Sequence, residues 1–307
     1  MIVQENVSLA PFTTFRVGGD ARYFVSASTE EELIQAIKLA QERKIEVFVL
    51  GGGSNLIVSD NGFDGLVVKM DVKQYRAEKT DIFTQAAVPF AQIVNLAAEK
   101  SLAGLEWAGG IPGTVGGAVR GNAGAFGGET KDIVKTVTSI DIKTAKKVTR
   151  KKEECGFGYR ESIFKHNNEI ITEVVFSLTT GNKEDIISKV RSNIQYRLER
   201  HPHDFPSAGS VFKNVPVENI SSAKLRYFQE SVKTDPFPVV PAAKIIAEAG
   251  LSGYRVGGAQ VSPKHTNYII NCGNAVAGDI LKLIEHIKKV VKEKFDIELQ
   301  IEQYVVK

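Results

Sequence analysis

The chain has 307 residues but only two cysteines, Cys155 and Cys272, and no CxxC pair. Neither a disulfide framework nor a zinc site is indicated, and no metal is expected. No apolar run reaches about 18 residues, so no membrane-spanning helix and no membrane insertion are expected. The first residues, MIVQENVSLAPF, lack the basic stretch and apolar core of a signal peptide, which makes the cytoplasm the expected location. Charge of one sign is also missing. Lys and Arg number 39 against 36 Asp and Glu, a net charge of +3. That balance does not point to nucleic acid, and it leaves an anionic small substrate open. No GxSxG elbow occurs, which disfavours a serine hydrolase. Low-complexity segments and internal repeats are absent, and nothing marks an obligate protein partner.

Glycine is what the chain has in unusual concentration. Ten of its 27 glycines fall between Gly104 and Gly128, and a second run, Gly51-Gly52-Gly53-Ser54-Asn55, follows the apolar segment Ile45 to Leu50. Glycine weakens regular structure, so such density signals backbone lying close to something. Bare N–H groups in glycine-rich turns form anion sites that suit phosphates. Tight turns alone would explain one such run; two together suggest a large phosphate-bearing cofactor.

The length exceeds what one core usually holds, and two or three domains are expected. Thr29 and Glu32 form a capping box for a helix with Leu33, Ala36, Ile37 and Ala40 on one face. Glu46 to Leu50 reads as a strand entering the first glycine loop. Leu56 to Val58 after the loop is again strand-like, whereas a Rossmann phosphate loop must open a helix, so that reading is rejected. Pro89 opens a helix through Lys100. Val134 to Ile142 and Ile170 to Leu178 are strands. Asn182 caps a helix to about Arg200 with Ile187, Val190, Ile194 and Leu198 inward, and a boundary is expected near 181–200. Pro241 to Glu248 is a short helix stopped by Gly250, and Ala277 to Lys294 a longer one. Ile297 to Glu302 alternates like a strand, which puts Glu298, Gln300 and Glu302 on one face.

Three polar clusters could carry chemistry. In Gly156-Phe157-Gly158-Tyr159-Arg160, an arginine beside a glycine-aromatic turn can present a planar fork to a carboxylate, though standing alone the motif reads better as an ordinary surface ion pair. Pro206-Ser207-Ala208-Gly209-Ser210 brings Ser210 to a turn before Val211-Phe212. Lys264-His265-Thr266-Asn267 enters a strand, with His265 either a ligand contact or a structural histidine.

These clusters occur in order with further motifs: Thr14-Phe15-Arg16-Val17-Gly18-Gly19, Gly51 to Leu56, Gly110-Ile111-Pro112-Gly113-Thr114-Val115-Gly116-Gly117-Ala118, and Asn122-Ala123-Gly124-Ala125. Gly158-Tyr159-Arg160, Ser207 to Asn214 and Lys264-His265 complete the set. Nearly end to end, the set resembles the UDP-N-acetylenolpyruvoylglucosamine reductase (MurB) family. The short connection after Phe176 looks like the subtype called type II. Two departures are the long segment Val215 to Val240 and Tyr304, where an arginine commonly stands two residues after the glutamate.

The resemblance implies an α+β fold. An FAD-binding domain of the PCMH (vanillyl-alcohol oxidase-like) type would comprise two α/β subdomains, 1–72 and 73–181. A smaller α+β substrate domain would span 182–307, its tail from about 296 reaching the active site. It implies non-covalent FAD, held by Gly51, Gly52, Gly53, Ser54, Asn55, Gly110, Pro112, Gly113, Thr114, Gly116, Gly117, Ala118, Asn122, Ala123 and Gly124. NADPH would be the reductant and UDP-N-acetylglucosamine enolpyruvate the substrate in peptidoglycan precursor synthesis. Ser210 would donate a proton, Arg160 and Glu302 would stabilise the enol-like intermediate, and Tyr159, Lys213, Asn214 and His265 would bind substrate. The alternatives are another flavin oxidoreductase of the PCMH superfamily and a non-catalytic UDP-sugar-binding protein. The first commonly links flavin through His or Cys near the glycine loops, and no histidine precedes His166.

Overall fold

The computed structural model describes residues 1–307. The chain forms two compact units. One comprises Met1–Val7, Ala21–Gly52 and Phe63–Arg197, the other Ser8–Asp20, Gly53–Gly62 and Leu198–Lys307.

The first unit is built on two sheets. Strands Gln4–Ser8, Asp20–Ala27, Phe63–Met70 and Val47–Leu50 lie side by side in that order, the last three parallel. Helix Glu30–Arg43 covers them, and its buried Leu33, Ala36, Ile37 and Ala40 join Val25, Leu66 and Val68 in one apolar cluster. Thr29 caps it as expected, its hydroxyl accepting from Glu32 N at 3.2 Å. The second sheet is antiparallel, in the order Lys147–Lys151, Val134–Asp141, Glu169–Ser177, Asp81–Gln85, Tyr75–Glu78. Phe90, at the head of helix Phe90–Glu99, packs between Trp107 and Phe176, with ring centroids 6.0 and 6.2 Å away.

Helix Lys183–Arg200 departs from its expected face. Ile186, Val190 and Asn193 are buried, while Leu198 is 52% exposed. The cause is the irregular glycine-rich stretch, whose carbonyls no ladder satisfies. Asn193 Nδ2 donates to Glu106 O at 2.8 Å and Arg197 Nε to Gly109 O at 2.9 Å. Polar demand set the register, where the hydrophobic pattern alone pointed one position away. The same helix stays with the first unit as far as Arg197, so the division falls inside the 181–200 stretch where a boundary is expected, towards its C-terminal end.

The second unit centres on helix Ala277–Phe295. Its buried Ile280, Leu283, Ile284, Ile287 and Val291 pack in one cluster with helix Ala242–Glu248 and the antiparallel strands Arg255–Val256, Ala259–Val261 and Ile269–Asn271. Two early segments, 8–20 and 53–62, belong here rather than with the expected first subdomain. The Asp60 carboxylate accepts from Ala277 N and Gly278 N at 2.7 and 2.8 Å, at the positive end of the long helix. Asn271 Nδ2 donates to Phe15 O at 3.0 Å. The long 215–240 segment closes on itself, Val215–Pro216 pairing with Val239–Val240. Between them, helix Ser222–Phe228 buries Phe228 against Phe295, 5.2 Å between centroids.

The expected strand over Ile297–Glu302 lies further on. Tyr304–Val306 pairs in parallel with Leu56–Val58, and Ile301 makes only an isolated bridge to Phe212. Ile297 and Leu299 are buried while Glu298 and Gln300 are exposed, so the alternation is real. The neighbouring chain is merely too short for a ladder there: Gln300 O accepts from Lys213 N, and Glu302 N donates to Val211 O. No helix is long and apolar enough to cross a membrane.

Asn271 is the polar centre of the second unit. It is 4% exposed, and its Oδ1 accepts from Gly273 N and Ala275 N at 2.8 and 3.0 Å. Asn271→Ala strands the Phe15 carbonyl and the Ala275 N–H in the core and frees the exposed Gly273 N–H. The expected loss is about 3 kcal/mol, read as a lowered denaturation midpoint; a change within about 0.5 kcal/mol would contradict this role.

Candidate active site

In the first unit the two glycine loops meet backbone to backbone. A Cβ at Gly52 would lie 2.7 Å from Gly113 Cα, and one at Gly51 3.0 Å from Thr114 Oγ1. Gly51, Gly52, Gly110, Pro112 and Gly117 line these loops exposed, with Gly113, Thr114 and Gly116 half-buried. Thr114 caps helix Val115–Gly121, its hydroxyl accepting from Gly117 N at 3.4 Å. A side chain at Gly52 would close the approach that brings both loops together. Such a cradle fits the pyrophosphate of a dinucleotide.

Not every residue expected on this cofactor surface is free to serve it. Asn122 is fully buried in the left-handed conformation; its Nδ2 donates to Gly158 O at 2.8 Å and its Oδ1 accepts from Lys131 N at 2.9 Å. Its amide is thus a strut beneath the Tyr159–Arg160 turn. Ala118 is buried, and the Ala123 carbonyl is taken by Thr130. Gly53, Ser54 and Asn55 fall in the second unit. Gly53 is glycine because a Cβ there would lie 1.9 Å from Phe12 O. Asn55 holds the tail: Nδ2 donates to Glu302 O at 3.3 Å, and its own carbonyl accepts from Tyr304 N at 3.0 Å.

Arg160 stands on a strained turn with φ 54°. Its Nη2 donates to Gly124 O at 2.6 Å, Nη1 lies 3.6 Å from Glu129 Oε1, and the guanidinium carbon sits 5.0 Å from the Tyr159 ring centre. Lys165 Nζ donates to the Arg160 carbonyl at 2.6 Å. A guanidinium held this way presents a fork of fixed plane.

In the second unit, Ser210 and Glu302 are brought onto adjacent segments. Ser210 bridges Tyr268 on one side. On the other, Glu302 N donates to Val211 O at 2.8 Å. The buried Asn267 clamps this strand, accepting from Phe212 N at 3.0 Å and donating to Phe212 O at 2.9 Å. Gln303 Nε2 donates to Ala208 O at 3.0 Å. Glu298 is elsewhere: its side chain is 81% exposed and pairs with Lys292 at 3.1 Å. Asn214 Oδ1 accepts from Ala242 N at 3.2 Å, so the side chain expected on substrate starts helix Ala242–Glu248. His265 is half-buried, edge-on to His201 and Tyr268, with Nδ1 buried and unpartnered. Burial, aided by the Lys233 charge, holds its imidazole below the ordinary range. Gln303 and Glu129 carry no signal in the sequence, and Asn267 shows there only as part of the Lys264–Asn267 run, because a buried amide or carboxylate among polar neighbours has no periodic signature.

Two glycine loops on a two-sheet unit, with a separate α+β unit carrying a serine and a glutamate, define a nucleotide-cofactor protein. A family model described as FAD binding domain matches residues 21–148, most of them in the first unit, which makes that unit an FAD-binding fold. A second, described as UDP-N-acetylenolpyruvoylglucosamine reductase, C-terminal domain, matches residues 201–306. The reductase of that name from Caldanaerobacter subterraneus subsp. tengcongensis is 40% identical, covering 98% of this chain and 92% of its own. That from Carboxydothermus hydrogenoformans is 39% identical, covering 99% and 94%. The crystal structure of the Thermus caldophilus reductase (MurB) superposes with a TM-score of 0.80 at 32% identity over 100% of both chains. The chain belongs to the UDP-N-acetylenolpyruvoylglucosamine reductase family.

Cys155 lies five residues before Arg160 and is fully buried, its Sγ donating to Lys151 O at 3.3 Å. Burial pushes the thiol up to about 11, outweighing the nearby Arg150 charge. At pH 8 roughly one part in a thousand is thiolate. Native protein should therefore take iodoacetamide at Cys272 and not at Cys155, with Cys155 reacting only as the pH approaches 11 or on unfolding. Prompt labelling of Cys155 at pH 8, mapped by mass spectrometry, would contradict its buried state.

Proposed function

We propose that this chain is an NADPH-dependent reductase of UDP-N-acetylglucosamine enolpyruvate, holding FAD non-covalently and yielding UDP-N-acetylmuramate for peptidoglycan precursors. The observation that carries the site reading is the Glu302 N–H bond to Val211 O, which sets Glu302 beside Ser210. Gly51, Gly52, Gly110, Gly113, Thr114, Gly116 and Gly117 would hold the cofactor pyrophosphate. When bound, FAD supplies the hydride chemistry that links NADPH to C3 of the enolpyruvyl group.

The rest falls to the chain's own side chains. Hydride arriving at C3 moves charge toward the substrate carboxylate, and Arg160 opposes that charge with a fork already fixed on Gly124. Ser210 delivers a proton to C2, completing addition across the double bond. A hydroxyl is a weak acid in water and serves here only because it is held against a strongly basic carbon. Glu302 acts on the same developing enol. Tyr159 supports Arg160 by stacking; Lys213 meets the diphosphate of the nucleotide, and the half-buried His265 lines the substrate side as a neutral ring. The Asn214 side chain contributes through helix Ala242–Glu248. The purely binding alternative predicts no NADPH consumption.

Ser210→Ala is expected to separate the two half-reactions. Bleaching of the flavin by NADPH should stay near wild type, while reoxidation by the enolpyruvyl substrate slows by roughly 10²- to 10⁴-fold. Equal losses in both, followed by stopped-flow absorbance, would make Ser210 structural. A carboxylate acting on the transition state matters more to rate than to binding. Glu302→Gln should accordingly slow reoxidation with little change in substrate affinity, and Glu298→Gln, out on the surface with Lys292, should change neither. A damaging Glu298→Gln with a silent Glu302→Gln would reverse the assignment.

A further inference from the structure

We propose that Glu129 is the positioning residue for Arg160, a buried carboxylate that fixes the guanidinium plane through which substrate is met; this rests on the reading of Arg160 above. The hairpin Gly124–Ala125/Gly128–Glu129 turns through Phe126 and Gly127 at φ 50° and 84°, and sets Glu129 directly opposite Gly124. Arg160 uses both members of that pair. One nitrogen donates to Gly124 O at 2.6 Å, and the other lies 3.6 Å from Glu129 Oε1. Gly124 lacks a side chain for this purpose: a Cβ there would lie 2.7 Å from Glu129 Cγ and 3.2 Å from Arg160 Nη1.

The charge placement argues the same way. Glu129 is 5% exposed, and its Oε2 takes the Lys131 ammonium at 2.6 Å. Its Oε1 is buried with no hydrogen-bond partner. A buried carboxylate oxygen left without a bond is costly unless a cation answers it. The Arg160 guanidinium is the cation on that side, near enough for Coulomb attraction and one small displacement from a full bond. Glu129 N, donating to Asp132 Oδ2 at 2.8 Å, anchors the backbone, so the carboxylate is fixed and the guanidinium aligns to it. The carboxylate thereby restrains rotation of the fork about the Gly124 contact.

The test measures both half-reactions in E129Q, R160K and the double variant. With E129Q, substrate-driven reoxidation should fall by about 100-fold, the usual consequence of a reacting group misplaced by an ångström. NADPH-driven bleaching, flavin content and melting temperature should stay near wild type. In the double variant the rate should match R160K alone, since Glu129 acts only through Arg160. E129D, which keeps the charge one methylene back, should recover part of the loss, and it is read by the same two rates if E129Q fails to hold FAD. A slow R160K with a normal E129Q overturns this proposal and leaves the Arg160 reading intact. Additive losses, or equal losses in both half-reactions, overturn it by making Glu129 independent or structural. A normal R160K overturns the Arg160 reading and this proposal with it.

Discussion

Irregular backbone cannot satisfy its own polar groups, and much of this structure follows from that constraint. The glycine-rich stretch, the segment around Ser210 and the C-terminal tail all run largely outside ladders. Each buried carbonyl or N–H left unpaired would cost about 1–3 kcal/mol. Side-chain amides and guanidinia take the place of secondary structure. Asn193 and Arg197 answer Glu106 O and Gly109 O. Asn122 joins Gly158 to Lys131, and Asn267 closes on Phe212 from both directions. Gln303 holds Ala208, and Asn271 ties Phe15 to the turn before the long helix. Most are buried, and each holds a stretch of chain that no ladder fixes.

This explains what was legible in the sequence. Helix Glu30–Arg43 announced itself through Thr29, Glu32 and the stripe from Leu33 to Ala40, because its stability is local capping plus one apolar face. The glycine loops were legible as backbone-exposing segments, and the ordered motifs pointed to the family. Less legible was anything set by partners distant in sequence. Leu198 belongs to an apolar stripe by spacing yet faces solvent, since the carbonyls of Glu106 and Gly109 pull Asn193 and Arg197 inward. Asn55 looked like part of a phosphate loop, and its side chain instead holds the Glu302 carbonyl, 247 positions away. The early segments 8–20 and 53–62 join the second unit through Asp60 and Phe15, contacts that no local pattern encodes.

The electrostatics of the two proposed catalytic neighbourhoods differ for a physical reason. Arg160 has to carry a permanent charge at a fixed angle, so it is surrounded by acceptors: the Gly124 carbonyl, the Glu129 carboxylate and the Tyr159 ring face. Arginine tolerates that environment because its guanidinium does not lose its proton. Ser210 has no charge to hold and needs no counterion. The segment that carries it is held by backbone hydrogen bonds and buried amides, which fix direction without altering charge.

Direction is what a weak acid depends on most. A hydroxyl transfers its proton usefully only when the accepting carbon lies along its bond, so small errors in placement carry large rate costs. Ser210 follows Gly209, whose φ of 76° lets the chain turn sharply, and a free hinge there would leave the hydroxyl undirected. The strand beyond is therefore held on both flanks: Val211 N donates to Asn267 O, Val211 O accepts from Glu302 N, and Gln303 grips Ala208 ahead of the hinge. The tail that carries Glu302 is thus the same element that flanks the Ser210 segment. Its own position is set by Asn55 and the parallel pairing with Leu56–Val58. The segments that carry a carboxylate and a hydroxyl, far apart in sequence, acquire a fixed relation through bonds that involve neither side chain: Glu302 N to Val211 O and the Gln303 amide to Ala208 O. That relation should survive substitution of either side chain, which is why their separate chemical contributions can be measured without disturbing each other.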